Sequence, residues 1–266
     1  MSMFVCLPCY NEERSLPPLL DQFAQLIARS EEPMRLIAVD DGSADKTRQV
    51  LQDRAKEMPL EVVIHERNRG LGPAIVSGFR AALRRAEKED DIVVCLDADD
   101  THDPKYIPAM AARIHAGADV VIASRYQAGS KEVGVPFMRR ILSHGARWVF
   151  RLALPIPGVR DYTCGYRAYR AGLLREAMEV FGDKLIERRG FACTDEVLIK
   201  LSSLTERIEE TPFVLRYDKK RSPSALPLME TIFATLKLLH RGRLLRRHAK
   251  RTVKAHRRAR GQNDGA

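Results

Sequence analysis

The sequence lacks a long apolar run. Although 45% of its 266 residues are hydrophobic, no stretch reaches the roughly 20 consecutive apolar residues that a membrane-spanning helix requires. The first residues, MSMFVCLPCY, carry no basic segment ahead of an apolar one, so we expect no signal peptide. A chain of this length can bury one sizeable core, and we expect a globular protein of the cytoplasm.

A disulfide framework is also missing from the pattern. Five cysteines are an odd number, and cytoplasmic proteins rarely form structural disulfides. Cys6 and Cys9 form a C-x-x-C pair, which can be a redox centre when a helix N-terminus lowers the thiol pKa. The helical pattern starts only around Ser15. We therefore favour Cys6 in a first strand and Cys9 in the loop after it.

Acidic residues are missing from the C-terminal region. Between Lys237 and Arg260 there are 11 Lys and Arg and no acid, and Asp264 follows. Removing these 11 bases and one acid from the totals of 45 and 35 leaves 34 of each. The chain thus divides into a neutral body, 1–236, and a basic C-terminal helix and tail, 237–266. This distribution favours local contact with an anionic partner over a general nucleic-acid-binding surface.

Short β-branched runs alternate with amphipathic stretches in the first half. The runs are continuously apolar, as in strands that are covered on both faces. This order predicts an α/β fold with a doubly wound, mostly parallel sheet flanked by helices. The predicted strands are Phe4–Leu7, Arg35–Val39, Glu61–His65, Ile92–Leu96 and Val120–Ala123, and the predicted helices are 16–29, 45–57, 73–88 and 105–116.

The second half is less regular. A helix is expected at 136–154, two more at 171–181 and 194–205, a strand at Pro212–Tyr217 and a last helix at 228–247. We expect the chain after about Arg251 to fray, because it is polar and highly charged.

Two acids, Asp97 and Asp99, follow the fourth predicted strand one residue apart. Carboxylates so close raise each other's pKa unless a cation compensates. Mg²⁺ or Mn²⁺ prefers one or two carboxylates together with substrate phosphates and water. The alternative is a capped turn before the helix that Pro104 opens. His102, in the same loop, is expected to face solvent.

Polar residues also follow the first two strands. PCYNEE provides a rigid Pro8, a stacking ring in Tyr10 and an acceptor in Glu12, which suit a nucleobase. Asp40 and Asp41 precede a glycine, where a carboxylate can accept from a ribose hydroxyl or a base N–H. An ordinary Asp-Gly turn explains that pair equally well. The Gly-rich NRGLGPA lacks the full dinucleotide or P-loop pattern.

The order of PCYNEE, VDDGSADKT, NRGLGPAIVSGF, LDADDTHDPKYIP and IASRY resembles the family 2 glycosyltransferases of GT-A fold. More narrowly, the sequence is similar to dolichol-phosphate mannosyltransferases and other polyprenyl-phosphate glycosyltransferases. The resemblance covers about residues 3–240. It implies inverting transfer of a hexose from a GDP- or UDP-sugar to a polyprenyl or dolichyl phosphate, with Mg²⁺ or Mn²⁺.

The resemblance also implies roles for individual residues. The base and ribose would be contacted by Pro8, Tyr10, Glu12 and Asp41, and the rest of the nucleotide-sugar by Asp97, Ala98, Asp99, Arg125 and Lys219. The metal would be held by Asp97, Asp99 and Thr101. The acceptor phosphate would face Arg139 and Ser143, and closure of the site would involve Asp161 and Arg167. Asp99, Arg125 and Arg139 are the catalytic candidates among them.

One position departs from the family. Its late loop usually carries an Arg and, six residues on, a Lys, both of which reach the donor diphosphate. Here Lys219 and Ala225 stand at those places. Lys220 or Arg221 could supply the missing charge.

Three functions remain open from the sequence. A lipid-phosphate acceptor is already ionised and needs no base, whereas a saccharide hydroxyl needs a carboxylate such as Asp195 or Glu196. Those two acids could instead belong to a capped helix start. A non-catalytic nucleotide-binding module is the third function.

A lipid acceptor would give the basic tail a role on an anionic membrane surface at the inner face of the membrane. A separate membrane-anchoring protein is a further candidate partner. Nonspecific nucleic-acid binding by the tail is the weaker alternative. The predicted helix 136–154 has a basic stripe opposite Ile141, Trp148 and Leu152, which fits lipid contact or a core stripe under a solvated face.

Overall fold

The computed structural model describes residues 1–188, 190, 192–221, 242 and 244–259. Strands and helices alternate in the first half as predicted. The strands are β1 (Met3–Cys9), β2 (Met34–Asp40), β3 (Leu60–Ile64), β4 (Ile92–Cys95), β5 (Val120–Ser124), β6 (Lys131–Val133), β7 (Arg167–Arg170), β8 (Ile208–Pro212) and β9 (Val214–Arg216). The helices are α1 (Leu16–Arg29), α2 (Thr47–Arg54), α3 (Leu71–Arg85), α4 (Ile107–His115), α5 (Phe137–Ala153), α6 (Ala171–Phe181) and α7 (Ala192–Leu201).

The main sheet has seven strands in the order β3-β2-β1-β4-β7-β5-β8. Its neighbours are parallel except at β7, which runs antiparallel to β4 and β5. The order reverses direction between β1 and β4, and ligands of such sheets bind beyond the carboxyl ends of the strands at this switch point. The predicted fold class is therefore confirmed, and the polar loops after β1 and β4 lie at the ligand-binding edge.

Burial on both faces explains the apolar runs. Every residue of β4 and β5 is buried, because helices cover the sheet on each side. Gly78 of α3 lets this helix approach β1 closely, since a Cβ there would lie 3.2 Å from the Cβ of Cys6. The core thus fixes the strand ends from which the functional loops start.

The cysteines are structural. All five are free and buried, and Cys9 ends β1 rather than lying in the loop after it. Burial raises the pKa of the Cys6 and Cys9 thiols well above the usual range. Neither thiol has the lowered pKa of a reactive redox pair.

The second half differs most from prediction. β7 and β8 were not predicted, and the strand expected at Pro212–Tyr217 is the short β9, which pairs in parallel with β6 as a separate two-stranded sheet. β7 was missed because its sequence, RAYR, places arginines at both ends of a central strand. Its paired residues lie 45 to 78 positions away in the chain.

Residues 244–259 form a helix, so the expectation of fraying after Arg251 is wrong up to residue 259. Ala249 and Val253 are buried, and the Arg257 guanidinium pairs with Glu176 at 2.9 Å. Most of the predicted helix 228–247 and the boundary at 236 lie outside the described residues. In the described part of the chain, none of the helices combines the length and apolar character needed to cross a bilayer.

Candidate active site

The loops after β1 and β2 form one cradle. The Asn11 backbone N–H donates to Ser43 Oγ at 3.1 Å, and Ala44 N–H donates to Asn11 Oδ1 at 2.9 Å. Glu12 N–H donates to Thr47 Oγ1 at 2.7 Å. Hydrogen bonds in both directions therefore hold the two loops together.

The structure brings the predicted base-side residues to this cradle. Pro8 is half-buried near the end of β1, opposite Val39. The Tyr10 side chain is 44% exposed, and Glu12 is half-buried. An exposed ring beside an acceptor is suited to a flat polar ligand, and the nucleobase contacts of these three residues stay a prediction.

Asp41 is buried and holds the Gly-rich turn. Its Oδ1 accepts from Arg69 N–H at 3.0 Å and its Oδ2 from Gly70 N–H at 2.8 Å. His65 Nδ1 donates to the same Oδ1 at 2.6 Å, and His65 Nε2 lies 2.9 Å from Ser77 Oγ. Sequence reasoning missed His65 and Ser77, because nothing local marks contacts between residues 24 and 12 positions apart. The ribose contact predicted for Asp41 stays a prediction.

Asp99 lies at the centre of the loop after β4. Its Oδ1 accepts from the backbone N–H of Thr101 at 3.2 Å and from the Thr101 hydroxyl at 2.6 Å. Its Oδ2 pairs with the Lys220 ammonium. Burial raises the pKa of Asp99, but Lys220, His102 and the Thr101 hydroxyl outweigh burial, so the pKa lies below its usual value.

Asp97 is the more open of the two acids, with its side chain one-third exposed. Desolvation raises the pKa of Asp97, and the neighbouring Asp99 carboxylate adds to this. Ala98 between them is buried. Asp97 N–H donates to His102 Nδ1 at 3.2 Å. His102 is buried and stacked on Tyr166 at 5.3 Å, so its predicted solvent exposure is wrong.

The two carboxylates fit a hard divalent ion. Among the residues described, no group of three or more His, Cys, Asp or Glu is arranged to hold a metal. Mg²⁺ and Mn²⁺ sites in nucleotide-binding proteins use one or two carboxylates and take their other ligands from phosphate and water. The ammonium of Lys220 pairs with Asp99, and the metal contacts of Asp97 and Asp99 stay a prediction. Thr101 is buried and engaged with Asp99, and its role as a metal ligand stays a prediction.

Arg125 is committed to Asp161. Its Nε and one terminal nitrogen donate to the two carboxylate oxygens at 2.8 and 2.7 Å, and Thr163 Oγ1 is 2.5 Å away. Burial raises the pKa of Asp161, but Arg125 outweighs it and lowers the pKa below the usual range. Arg167 is buried and donates to the carbonyls of Tyr162 and Thr194, each at 2.5 Å. Both arginines thus brace the 161–167 loop, and the diphosphate contact of Arg125 stays a prediction.

The acceptor-side candidates lie on α5. Arg139 donates to the Tyr217 hydroxyl at 3.0 Å, with its guanidinium 4.9 Å from the ring centre. Ser143 Oγ is 2.8 Å from the Tyr126 hydroxyl. Tyr217 lies three residues before Lys220. Tyr217 therefore joins α5 to the segment that reaches Asp99.

The late loop places two lysines at the acids. Lys219 Nζ is 3.8 Å from Asp100 Oδ1, and Lys220 pairs with Asp99. The expectation that Lys220 could supply a charge near the diphosphate is consistent with this position. Ala225 lies outside the described residues.

The two candidate bases differ in their environments. Glu196 is bound by Lys200 at 2.7 Å and by the backbone N–H groups of Glu187 and Arg188. Asp195 is buried, and its Oδ1 has no hydrogen-bond partner among the described residues. Burial raises the pKa of Asp195 to about 7. Both acids lie within α7, which begins at Ala192. The prediction that Thr194 or Asp195 caps this helix is therefore wrong.

Comparison with known proteins supports the resemblance. The sequence model of glycosyl transferase family 2 matches residues 4–177. The chain is 31% identical to a dolichol-phosphate mannosyltransferase of Pyrococcus furiosus, over 91% of this chain and 63% of that protein. It is 34% identical to an undecaprenyl-phosphate mannosyltransferase of Micrococcus luteus, over 80% of this chain and 82% of that protein. The chain thus spans less than two thirds of the Pyrococcus protein.

Solved structures show the same fold. A glucosyl-3-phosphoglycerate synthase of Mycobacterium tuberculosis, solved with Mn²⁺, uridine diphosphate and phosphoglyceric acid, superposes with a TM-score of 0.63 at 22% identity. The match covers 92% of this chain and 78% of that one. With its switch-point cradle, its paired acids after β4 and this breadth of sequence match, the chain belongs to glycosyl transferase family 2.

Proposed function

We propose that the protein transfers a hexose from a GDP- or UDP-sugar to a polyprenyl or dolichyl phosphate, with inversion and with a divalent metal. The observation that carries this proposal is the contact path from Asp99 through Lys220 and Tyr217 to Arg139. It links a cation-attracting carboxylate to an arginine on a neighbouring helix. A donor diphosphate and an acceptor phosphate need such charges side by side.

On the donor side, the cradle of Pro8, Tyr10 and Glu12 would bind the nucleobase. Asp97 and Asp99 would hold Mg²⁺ or Mn²⁺, which when bound neutralises the diphosphate and stabilises the charge that develops as the sugar leaves. Lys220 would add a positive charge at the same place.

On the acceptor side, Arg139 would orient the lipid phosphate by charge-assisted hydrogen bonds. A phosphate oxygen attacks the anomeric carbon, the bond from that carbon to the diphosphate breaks, and the nucleoside diphosphate leaves with the electron pair. Because the attacking oxygen is already ionised, no side chain has to remove a proton.

The outer face of α5 supports a membrane-bound acceptor. Trp148 is 54% and Leu152 75% exposed, and Phe150 alone is buried among the residues of this helix. The alternative prediction, that these apolar side chains pack into the core, is therefore wrong. Arg147 and Arg151 lie 5.8 and 5.6 Å from the Trp148 ring centre. Apolar side chains flanked by cations suit an anionic membrane surface, and we propose peripheral association there.

The relatives support a lipid-phosphate acceptor and suggest mannose as the sugar. The Pyrococcus and Micrococcus proteins are named for mannosyl transfer to dolichol phosphate and undecaprenyl phosphate. A mannose donor is therefore the first to test.

The direct test is an assay of purified protein with polyprenyl phosphate and a panel of GDP- and UDP-sugars, with Mg²⁺ or Mn²⁺. The expected product is a hexosyl phospholipid whose formation stops with EDTA. Transfer to saccharide hydroxyls but not to polyprenyl phosphate would contradict the proposal and indicate a transferase that extends saccharides. Nucleotide binding without turnover on any acceptor would indicate a non-catalytic module.

The pKa of Asp195 favours the alternative function, in which the sugar is transferred to a saccharide hydroxyl. Its pKa of about 7 is suited to a general base at neutral pH. Transfer to a hydroxyl would use this carboxylate, whereas transfer to a phosphate would not.

A further inference from the structure

Lys220 lies against one of the two carboxylates that are proposed to hold the metal. Its ammonium pairs with Asp99 Oδ2, and the side chains of Lys220 and Asp99 are only 16% and 12% exposed. The preceding strand β9 is tied to the same loop, because Arg216 N–H donates to the Thr101 carbonyl at 3.0 Å. The lysine is therefore held at the acid by backbone structure as well as by charge.

The oxygens of Asp99 are both engaged. Oδ1 accepts two hydrogen bonds from Thr101, and Oδ2 bears the ammonium. A divalent ion that binds Asp99 beside Lys220 would meet a positive charge at close range in a poorly solvated site, where the repulsion is strong. Metal and ammonium are thus competitors for one carboxylate.

We propose that Lys220 is an internal cation that fills the metal position at Asp99 in the nucleotide-free protein and moves away from Asp99 when the metal arrives with the diphosphate. Bare metal then binds weakly, and metal and nucleotide bind together. After leaving Asp99, the lysine remains close to the loop through the Arg216–Thr101 hydrogen bond, where the negative diphosphate replaces Asp99 as its partner. This inference rests on the proposed donor site but not on the identity of the acceptor.

The test is Mn²⁺ binding to the nucleotide-free protein, followed by the EPR signal of free Mn²⁺. In Lys220→Met we expect Mn²⁺ to bind at least about tenfold more tightly than in the wild type, because the competing charge is gone. Lys220→Arg should retain the weak binding. Lys105→Met is the matched control: it removes one positive charge from the same region, where Lys105 Nζ lies 2.9 Å from Asp103 Oδ2, and should change the affinity by less than about twofold.

A second measurement adds GDP or UDP. In the wild type the nucleotide should tighten Mn²⁺ binding strongly, and in Lys220→Met this enhancement should shrink by about tenfold or more. Asp99→Asn should abolish the difference between the lysine variants.

Equal Mn²⁺ affinity of wild type and Lys220→Met, or an equal effect of Lys105→Met, would overturn the role of Lys220 while leaving the proposed transfer intact. Mn²⁺ binding that survives Asp99→Asn unchanged would overturn both this inference and the metal assignment. Far-ultraviolet circular dichroism of each variant establishes that the comparison is made on folded protein.

Discussion

The donor cradle and helix α5 are built in opposite ways. In the cradle, the loops are hydrogen-bonded to each other, and Asp41 is buried and bonded to His65 and the Gly-rich turn. On α5, a helix of 17 residues, Phe150 is the one residue that is buried. The cradle is complete within the chain, whereas α5 presents apolar side chains to whatever lies outside it.

The cradle is ordered by hydrogen bonds within the chain, whereas the exposed face of α5 is suited to association with another surface. Hydrogen bonds within the chain hold the loops after β1 and β2 together, so little ordering should remain to be done on ligand binding. An apolar helical face gains free energy only when another apolar phase removes it from water. Changes in the cradle should therefore affect chemistry and stability, and changes on α5 should affect association.

The largest effect is expected from Asp99→Ala. In the proposed site this carboxylate is one of the two that hold the metal beside the diphosphate, so we expect transfer to fall by about a thousandfold or more without it. Initial rates with saturating donor and acceptor measure this.

Asp103→Ala is the control from the same loop. This residue caps the turn by accepting from Lys105 N–H, and its loss should cost transfer only a few-fold. Near-normal rates in Asp99→Ala would exclude Asp99 from the metal site.

The next largest effect is expected on the free energy of unfolding, when the buried ion pair of Arg125 and Asp161 is broken. Asp161→Asn removes the carboxylate charge that pairs with the buried Arg125 guanidinium and one of the two oxygens that accept its hydrogen bonds, and we expect the free energy of unfolding to fall by about 3–5 kcal/mol. Urea denaturation at pH 7 measures it. Asp90→Asn breaks a pair with Arg170 at the surface and should change stability by at most about 1 kcal/mol. Equal losses in the two variants would contradict the assignment of Asp161 as a buried brace.

A smaller effect, of opposite sign, is expected at Asp195. Its pKa of about 7 in the folded protein exceeds the ordinary value near 4 of an unfolded chain, so the folded state holds the proton more tightly. Stability from this group is fully present below about pH 4 and is lost as the pH rises towards 7. Asp195→Asn should therefore raise the free energy of unfolding by about 2–4 kcal/mol at pH 8 and change it little at pH 4.

The same variant distinguishes the two acceptors. Transfer to a lipid phosphate should survive Asp195→Asn within about fivefold, because that acceptor needs no base, whereas transfer to a hydroxyl should fall by at least about a hundredfold. Denaturation curves that do not differ between wild type and variant at pH 8 would contradict the raised pKa.

The sequence predicted the parallel core because its signals are local. β1, β2, β4 and β5 are mostly apolar runs, and Asp41 and Asp97 come directly or one residue after β2 and β4. The contacts of Asp41 with His65 and of Asp99 with Lys220 are not local, since 24 and 121 residues separate the partners. A charged lysine far along the chain carries no mark of the carboxylate that it reaches.

Helix α5 shows a second limit. The spacing of Ile141, Trp148 and Leu152 gives an apolar stripe, and periodicity reports a stripe without stating what covers it. The structure shows that the sheet does not cover this stripe, because Ile141 is 48% exposed. The prediction of the helix was therefore right, while its partner could not be read from the pattern.

The smallest effect on stability, and the sharpest test of the contrast, comes from α5. Trp148→Ala combined with Leu152→Ala should change the free energy of unfolding by less than about 1 kcal/mol, because both side chains are exposed. The same variant should lower transfer to polyprenyl phosphate in anionic vesicles by about tenfold, since it removes apolar area from the face of α5 that we propose to contact the membrane.

Transfer to a short-chain acceptor in detergent should be unaffected by this double substitution. Phe150→Ala, on the buried side of the same helix, should instead cost about 3–5 kcal/mol of stability. Vesicle co-sedimentation and transfer rates on both acceptors measure the contrast. A double variant that binds vesicles and uses the vesicle-bound acceptor as well as the wild type does would show that α5 does not dock on the membrane, and the exposed face would then need another partner.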